Sequence, residues 1–113
     1  MLDTKPEPVR EAAVKILVAG ASGFVGRRLC PALIEAGYDV QAMTRRPESY
    51  EGGAAVYGDV HDPKTLQEAL TGCQAAYYLV HSLDSPDFER KDADAAWAFA
   101  EAAAAAGLQR IVY

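Results

Sequence analysis

Short apolar runs alternate along the chain with longer segments in which hydrophobic residues recur at helical spacing. The first run is apolar at consecutive positions apart from Lys15, a pattern typical of a strand covered on both faces of a parallel sheet. The runs that predict strands lie at 13–19, 39–44, 54–57, 75–80 and 110–113. Five strands separated by helical segments therefore form the expected framework.

The segments between these runs predict three helices. In the first, 23–36, Val25, Leu29 and Leu33 repeat at helical spacing, and Gly37 provides a stop. Two pairs, Asp62-Pro63 and Ser85-Pro86, each combine a capping residue with a proline at the first helical position. The first pair predicts a short helix that ends near Gly72. The second predicts a long helix that reaches Ala106 and ends at Gly107. Strands alternating with helices imply right-handed crossovers and a parallel sheet.

A glycine-rich turn follows the first strand directly. Three glycines at three-residue spacing, Gly20, Gly23 and Gly26, open the first helix. Such a turn brings backbone N–H groups and the positive end of a helix dipole to a bound phosphate, whereas a glycine triplet alone would also suit a flexible loop. Placed between a strand and a helix, it indicates the dinucleotide-binding fold. The predicted pyrophosphate-binding residues are Gly20, Ala21, Ser22, Gly23, Phe24, Val25 and Gly26.

The fold class follows as α/β, a three-layer Rossmann-type doubly wound parallel sheet that is truncated after its fifth strand. Residues 1–12, polar and interrupted by two prolines, are expected to be a flexible leader, and residues 13–113 a dinucleotide-binding domain incomplete on its C-terminal side. A chain of 113 residues has room for one such domain.

The ends of the later strands supply the remaining candidate contacts. Thr44 closes the second strand where a carboxylate would bind the ribose 2′-hydroxyl, and Arg45 and Arg46 follow it. Guanidinium groups bind a 2′-phosphate, so we predict NADP(H) over NAD(H), unless the arginines are a solvated pair. Asp59 and Val60 follow the third strand, where they would contact the adenine, although a turn aspartate is the alternative.

The fourth strand ends in Leu79, Val80 and His81, which we expect beside the middle of the cofactor. The imidazole of His81 suits a cofactor contact as well as a hydrogen bond to a nearby loop. No nucleophile or general base is positioned beside it by the sequence, so the catalytic residues are unknown.

Composition and charge narrow the class of protein. Hydrophobic residues make up 50% and charged residues 24% of the chain. No apolar run approaches the length of about 20 residues that spans a membrane, and no signal peptide pattern is present. We therefore expect a cytoplasmic protein without a membrane partner. A net charge of −5 disfavours nucleic acid binding. Cys30 and Cys73 lack metal-ligand spacing and are expected to be structural thiols, with no metal site.

Together these residues resemble the short-chain dehydrogenase/reductase superfamily, in its extended and atypical branches that include NmrA-like NAD(P)H-binding proteins. The resemblance covers 15–113 and rests on the glycine motif, Arg45 and the Asp59-Val60 pair. It implies pyrophosphate, 2′-phosphate and adenine contacts respectively, in an NADP-dependent oxidoreductase or epimerase-like enzyme with a small-molecule substrate. The alternative is a non-enzymatic NAD(P)H-sensing regulator of the NmrA-like type.

Two departures from the family pattern bear on function. Extended members usually carry Ala-Gly after the fourth strand, where this chain has Val80-His81. The resemblance also implies a catalytic serine or threonine after the fifth strand and a later Tyr-x-x-x-Lys pair, which this sequence does not contain. The segment is thus expected to be the inactive front half of a longer protein. Its helix at 86–106, which carries Trp97, could pack in a homodimer or against its own sheet.

Overall fold

The computed structural model describes residues 13–80 and 88–113. The predicted leader at 1–12, His81 and the Ser85-Pro86 cap lie outside the described residues. The strands are β1 (Lys15–Ala19), β2 (Asp39–Thr44), β3 (Ala55–Tyr57), β4 (Ala75–Tyr78) and β5 (Arg110–Val112). The helices are α1 (Phe24–Glu35), α2 (Lys64–Ala69) and α3 (Phe88–Ala105), with a short 3-10 turn at Pro47–Ser49.

The five strands form one sheet in the order β3-β2-β1-β4-β5, and every pair is parallel. This confirms the predicted Rossmann-type α/β fold. The chain moves outward from β1 to β2 and β3, then returns to the other side of β1 for β4 and β5. The carboxyl ends of β1 and β4 therefore flank the point where the strand order reverses, which is where open α/β sheets bind ligands.

Both faces of the sheet are covered, as the continuous apolar run of β1 predicts. Ile16 and Val18 point to one face, where they pack in a cluster with Cys30 and Leu33 of α1. Leu17 and Ala19 point to the other face, which is covered by α2 and α3. Period-two alternation in β1 thus places the strand between two hydrophobic layers.

α3 packs against its own sheet through one face. Ala95, Phe99 and Ala103 are buried at four-residue spacing, and the Phe99 ring lies 5.0 Å from that of Tyr78 in β4. Trp97 is 69% exposed and takes no part in this core. Burial against the sheet is therefore the observed role of α3, and a homodimer stays a prediction.

The helix ends follow local chemistry. Gly37 and Gly107 lie just beyond α1 and α3 with φ of +99° and +82°, as expected for glycine stops. The predicted cap at Asp62 is wrong: α2 begins at Lys64 with Pro63 as its N-cap, and no side chain in the described part of the chain caps it. The hydroxyl of Thr65 instead donates to the Asp62 carbonyl at 2.8 Å, so Asp62 acts through its backbone.

Cys30 and Cys73 are both buried and neither forms a disulfide, in agreement with structural thiols. Burial raises the pKa of each thiol, which keeps both in the unreactive protonated form. Among the helices of the described residues, none combines the length and the apolar character needed to cross a membrane.

Candidate functional site

The glycine turn joins β1 to α1 in a single tight reversal. Gly20 adopts φ of +89°, and its carbonyl oxygen accepts a hydrogen bond from the Gly23 N–H at 3.1 Å. The helix begins immediately afterwards, since the Arg27 N–H donates to the Gly23 carbonyl at 2.9 Å. The predicted strand, glycine turn and helix are thus continuous.

Two of the glycines are required by close packing. A Cβ at Gly20 would lie 3.0 Å from the Leu79 carbonyl oxygen, just beyond the paired ends of β1 and β4. A Cβ at Gly26 would collide with the Gly20 carbonyl oxygen and lie 2.7 Å from the Ala21 Cα. Gly23 differs, because its Cβ would meet only the Gly20 oxygen, at 3.4 Å. Its missing side chain leaves space on the open side of the turn.

Among the residues that the structure describes, no side chain caps the N-terminus of α1. Gly23 occupies the N-cap, no side chain makes a capping hydrogen bond, and the first turn contains no acidic residue. The first N–H groups of a helix have no intrahelical partners, and its dipole places partial positive charge there. This helix end is therefore suited to an anion.

An open groove of about 1560 Å³ runs along the carboxyl ends of the strands. Among the predicted site residues, those that line it are Gly20, Ser22, Gly23, Thr44, Arg45, Arg46, Asp59, Val60, Leu79 and Val80. Four loops that are distant in sequence contribute these residues, because every parallel strand ends at the same edge. The remaining described candidates do not line the groove: Ala21 and Gly26 are buried, and Phe24 and Val25 are exposed.

Arg45 and Arg46 are both exposed at the groove. Within 13–80 and 88–113, no hydrogen bond or ion pair engages either guanidinium group. The Arg46 backbone N–H donates to the Thr44 hydroxyl at 3.1 Å, so Thr44 shapes the start of this loop. Two unengaged positive charges therefore follow β2 directly.

Asp59 is held in a local turn while it lines the groove. Its Oδ1 accepts the His61 N–H at 2.9 Å, which is the turn geometry that the sequence allowed as an alternative. The Asp59 N–H donates to the Thr65 hydroxyl at 2.9 Å, which ties the turn to α2. Val60 is buried beside it. The position of the Asp59-Val60 pair is thus fixed by Thr65 as well as by the strand.

Several groove residues were not predicted. They are Arg27, Met43, Ser49, Tyr50, Glu51, Gly52, Gly58 and His61. Arg27 had a detectable signal, because it directly follows the last glycine and so lies in the first turn of the helix. Residues 49–52 had none, since Ser49 ends the 3-10 turn and residues 50–52 form an irregular loop without a periodic pattern.

Tyr50 anchors that irregular loop to α1. Its ring packs against the cluster that contains Cys30, and its hydroxyl oxygen is buried. No group in the described part of the chain meets this oxygen at hydrogen-bonding geometry, although the Cys30 thiol lies beside it. Burial, and secondly the neighbouring thiol, raise the pKa of Tyr50 well above its ordinary value. The hydroxyl is therefore neutral at physiological pH.

We expect Tyr50→Phe to raise the free energy of unfolding by about 1 kcal/mol, because an unpartnered buried hydroxyl is removed and the ring is kept. Urea denaturation measures the change. Tyr57→Phe, at a side chain that is 48% exposed, is the matched control and should leave stability unchanged. A clear loss of stability in Tyr50→Phe alone would mean that the hydroxyl is hydrogen-bonded.

Residues 20–113 match the family described as NAD(P)H-binding. The chain belongs to this NAD(P)H-binding family, within the short-chain dehydrogenase/reductase superfamily. A relative from Streptomyces griseus, (4-alkanoyl-5-oxo-2,5-dihydrofuran-3-yl)methyl phosphate reductase, is 38% identical over 101 residues, which are 86% of this chain and 33% of that protein. The chain thus spans about a third of the length of this relative.

Solved structures agree with the fold. A short-chain dehydrogenase/reductase superfamily protein from Agrobacterium tumefaciens with bound NAD is 31% identical, with a TM-score of 0.72 over 86% of this chain and 31% of that one. UDP-N-acetylglucosamine 4-epimerase from Bacillus cereus shares the fold at 21% identity, with a TM-score of 0.75 over 89% of this chain and 35% of the epimerase.

The groove of this family member fits a dinucleotide on its own geometry. A Cβ at Gly20 or Gly26 would crowd the turn, and the uncapped end of α1 lies beside it. The volume of about 1560 Å³ exceeds the roughly 300–1,000 Å³ of ordinary small-molecule pockets, so an extended ligand has room. A pyrophosphate at the turn and an adenosine towards β2 and β3 would match these features.

Proposed function

We propose that the chain binds NADP(H) in preference to NAD(H). The observation that carries this proposal is a pair of exposed guanidinium groups directly after β2, which no other described residue engages. In dinucleotide-binding folds, the end of the second strand lies beside the adenosine ribose. Thr44 takes the place of the carboxylate that would bind a ribose 2′-hydroxyl and repel a 2′-phosphate. The NAD(P)H-binding family includes both cofactors in its description, so the preference rests on these residues.

The balance of charge along the groove supports the same proposal. Its described lining contains three arginines, Arg27, Arg45 and Arg46, against two carboxylates, Glu51 and Asp59. One oxygen of Asp59 is engaged by the His61 N–H. Because the whole chain carries a net charge of −5, the groove is a local concentration of positive charge in an acidic protein. Such a distribution favours a ligand with several phosphates.

We expect Arg45→Gln to weaken NADPH binding by about tenfold to a hundredfold, because a charge-assisted hydrogen bond to the 2′-phosphate is lost. NADH lacks this phosphate, so its affinity should not change. Isothermal titration of both cofactors into both proteins measures the difference. Arg46→Gln is the matched control and should have the smaller effect, because its backbone is tied to Thr44 and the arginine nearer the strand end is the expected ligand.

Equal affinity of the unmodified protein for NADPH and NADH would refute the preference. Failure to bind either cofactor, in a protein whose circular dichroism shows an intact fold, would refute cofactor binding as well.

We further propose that the chain is the cofactor-binding part of an oxidoreductase or epimerase-like enzyme. The similarity to a reductase and the NAD(P)H-binding family support this class. The cofactor, when bound, supplies hydride transfer, and these residues bind and orient it. We propose that the residues that transfer a proton to substrate lie outside this segment, since the Tyr-x-x-x-Lys pair that the resemblance implies is not in this sequence. The substrate class, homodimer and cytoplasmic location stay predictions.

A further inference from the structure

Arg27 lies in the first turn of α1, beside the glycine turn. Its Nε donates a hydrogen bond to the Ser22 carbonyl oxygen at 2.9 Å, and both residues line the groove. This contact uses one of the five N–H donors of the guanidinium group and fixes the group against the turn. The remaining donors belong to an exposed side chain at the groove.

The neighbouring Arg28 is engaged in a different way. Its guanidinium carbon lies 4.0 Å from the centre of the Phe24 ring, and its Nη1 donates to the Phe24 carbonyl at 3.1 Å. Arg28 does not line the groove. The two adjacent arginines therefore have different positions: Arg28 is stacked on an aromatic ring outside the groove, and Arg27 is held at the glycine turn.

The position of Arg27 is electrostatically unfavourable for the protein alone. A cation near the N-terminus of a helix is repelled by the helix dipole, and the first turn of α1 has no acidic residue to compensate. A negative ligand at the glycine turn would remove this repulsion. The fixed guanidinium, the uncapped helix end and the open side of Gly23 all favour an anion at the same place.

We propose that Arg27 is a phosphate-binding residue for the pyrophosphate of the cofactor, a proposal that rests on the dinucleotide-binding function above. Backbone N–H groups of the turn and the Arg27 guanidinium would then both bind this pyrophosphate. Arg45 binds the 2′-phosphate of the adenosine ribose. The central pyrophosphate and the 2′-phosphate of the ligand would each have their own arginine, and the two contributions can be separated with fragments of the cofactor.

The test uses ADP, which has the pyrophosphate and no 2′-phosphate, and adenosine 2′-monophosphate, which has only the latter. We expect Arg27→Gln to weaken ADP and NADPH binding about tenfold and to leave adenosine 2′-monophosphate unchanged. Arg45→Gln should show the reverse pattern between the two fragments. Arg28→Gln is the matched control and should change no affinity. Arg27→Lys keeps the charge without the planar fork and should retain part of the ADP affinity.

The dependence of ADP affinity on salt gives a second measurement, because a lost cation–phosphate contact reduces that dependence. Unchanged ADP binding by Arg27→Gln would overturn the proposal. Equal losses for ADP and adenosine 2′-monophosphate would also overturn it, since Arg27 would then only shape the turn. Either of these two outcomes, in an unmodified protein that binds NADPH, would refute only the role of Arg27. An unmodified protein that binds neither NADPH nor NADH would refute the proposed function itself.

Discussion

We expect Gly26→Ala to lower the free energy of unfolding by about 3 kcal/mol, because a methyl group is forced into tightly packed backbone. The new Cβ would collide with the Gly20 carbonyl oxygen and lie 2.7 Å from the Ala21 Cα and carbonyl oxygen. These are backbone atoms of the turn itself, so no side chain can rotate away to make room. Urea denaturation followed by circular dichroism measures the loss.

The sign of this effect is informative because Gly26 lies inside α1. In an ordinary helix interior, replacing glycine by alanine stabilises by about 1 kcal/mol. Gly23→Ala is the matched control, since its Cβ meets only the Gly20 oxygen at 3.4 Å, and its stability should stay within about 1 kcal/mol of the unmodified protein. An alanine at Gly26 that stabilised the protein would show that the turn and helix do not pack as described.

Gly23→Val should affect binding rather than stability: we expect it to abolish cofactor binding while the domain still folds. Gly23 is exposed, lines the groove and has an ordinary φ of −79°, which valine adopts without strain. The added side chain fills the open side of the turn, where the backbone must approach the pyrophosphate. We expect NADPH affinity to fall by about 100-fold or more, measured by titration calorimetry.

Two comparisons make the Gly23 result specific. Gly23→Ala adds a single methyl group at the same place and should give an intermediate loss of NADPH affinity. The circular dichroism spectrum of Gly23→Val should match that of the unmodified protein. Normal NADPH binding by the folded valine variant would mean that the phosphate lies elsewhere.

The sequence predicted those features that depend on local pattern. The apolar run of β1 and the glycines after it specify a strand, a turn and a helix in one continuous segment, and the structure has all three. Arg45 could be placed at the groove because parallel strands end at one edge, so the residue after β2 must lie near the glycine turn. Strand limits were less accurate: β4 ends at Tyr78 rather than Val80.

Features that depend on side-chain direction or irregular backbone were not predicted. Its place after the last glycine puts Arg27 in the first turn of α1, but the packing around α1 is needed to show that its side chain lies at the groove while that of the adjacent Arg28 lies on Phe24. The loop that carries Tyr50 has no periodicity, and its position depends on a contact with α1 distant in sequence. The side-chain cap expected at Asp62 does not form, and the Thr65 hydroxyl donates to the Asp62 backbone carbonyl, a local contact that competes with capping.

The short returns from helix to strand at Gly37 and Gly107 lie at the sheet edge opposite the groove, because all five strands run in the same direction. A Cβ at either glycine would meet no other atom within 4 Å, so the chain is uncrowded there. Lengthening such a surface connection costs only about 0.6 kcal/mol per doubling of its length. A dye or purification tag inserted at this edge would be separated from the ligand by the length of a strand, about 15 Å for five residues.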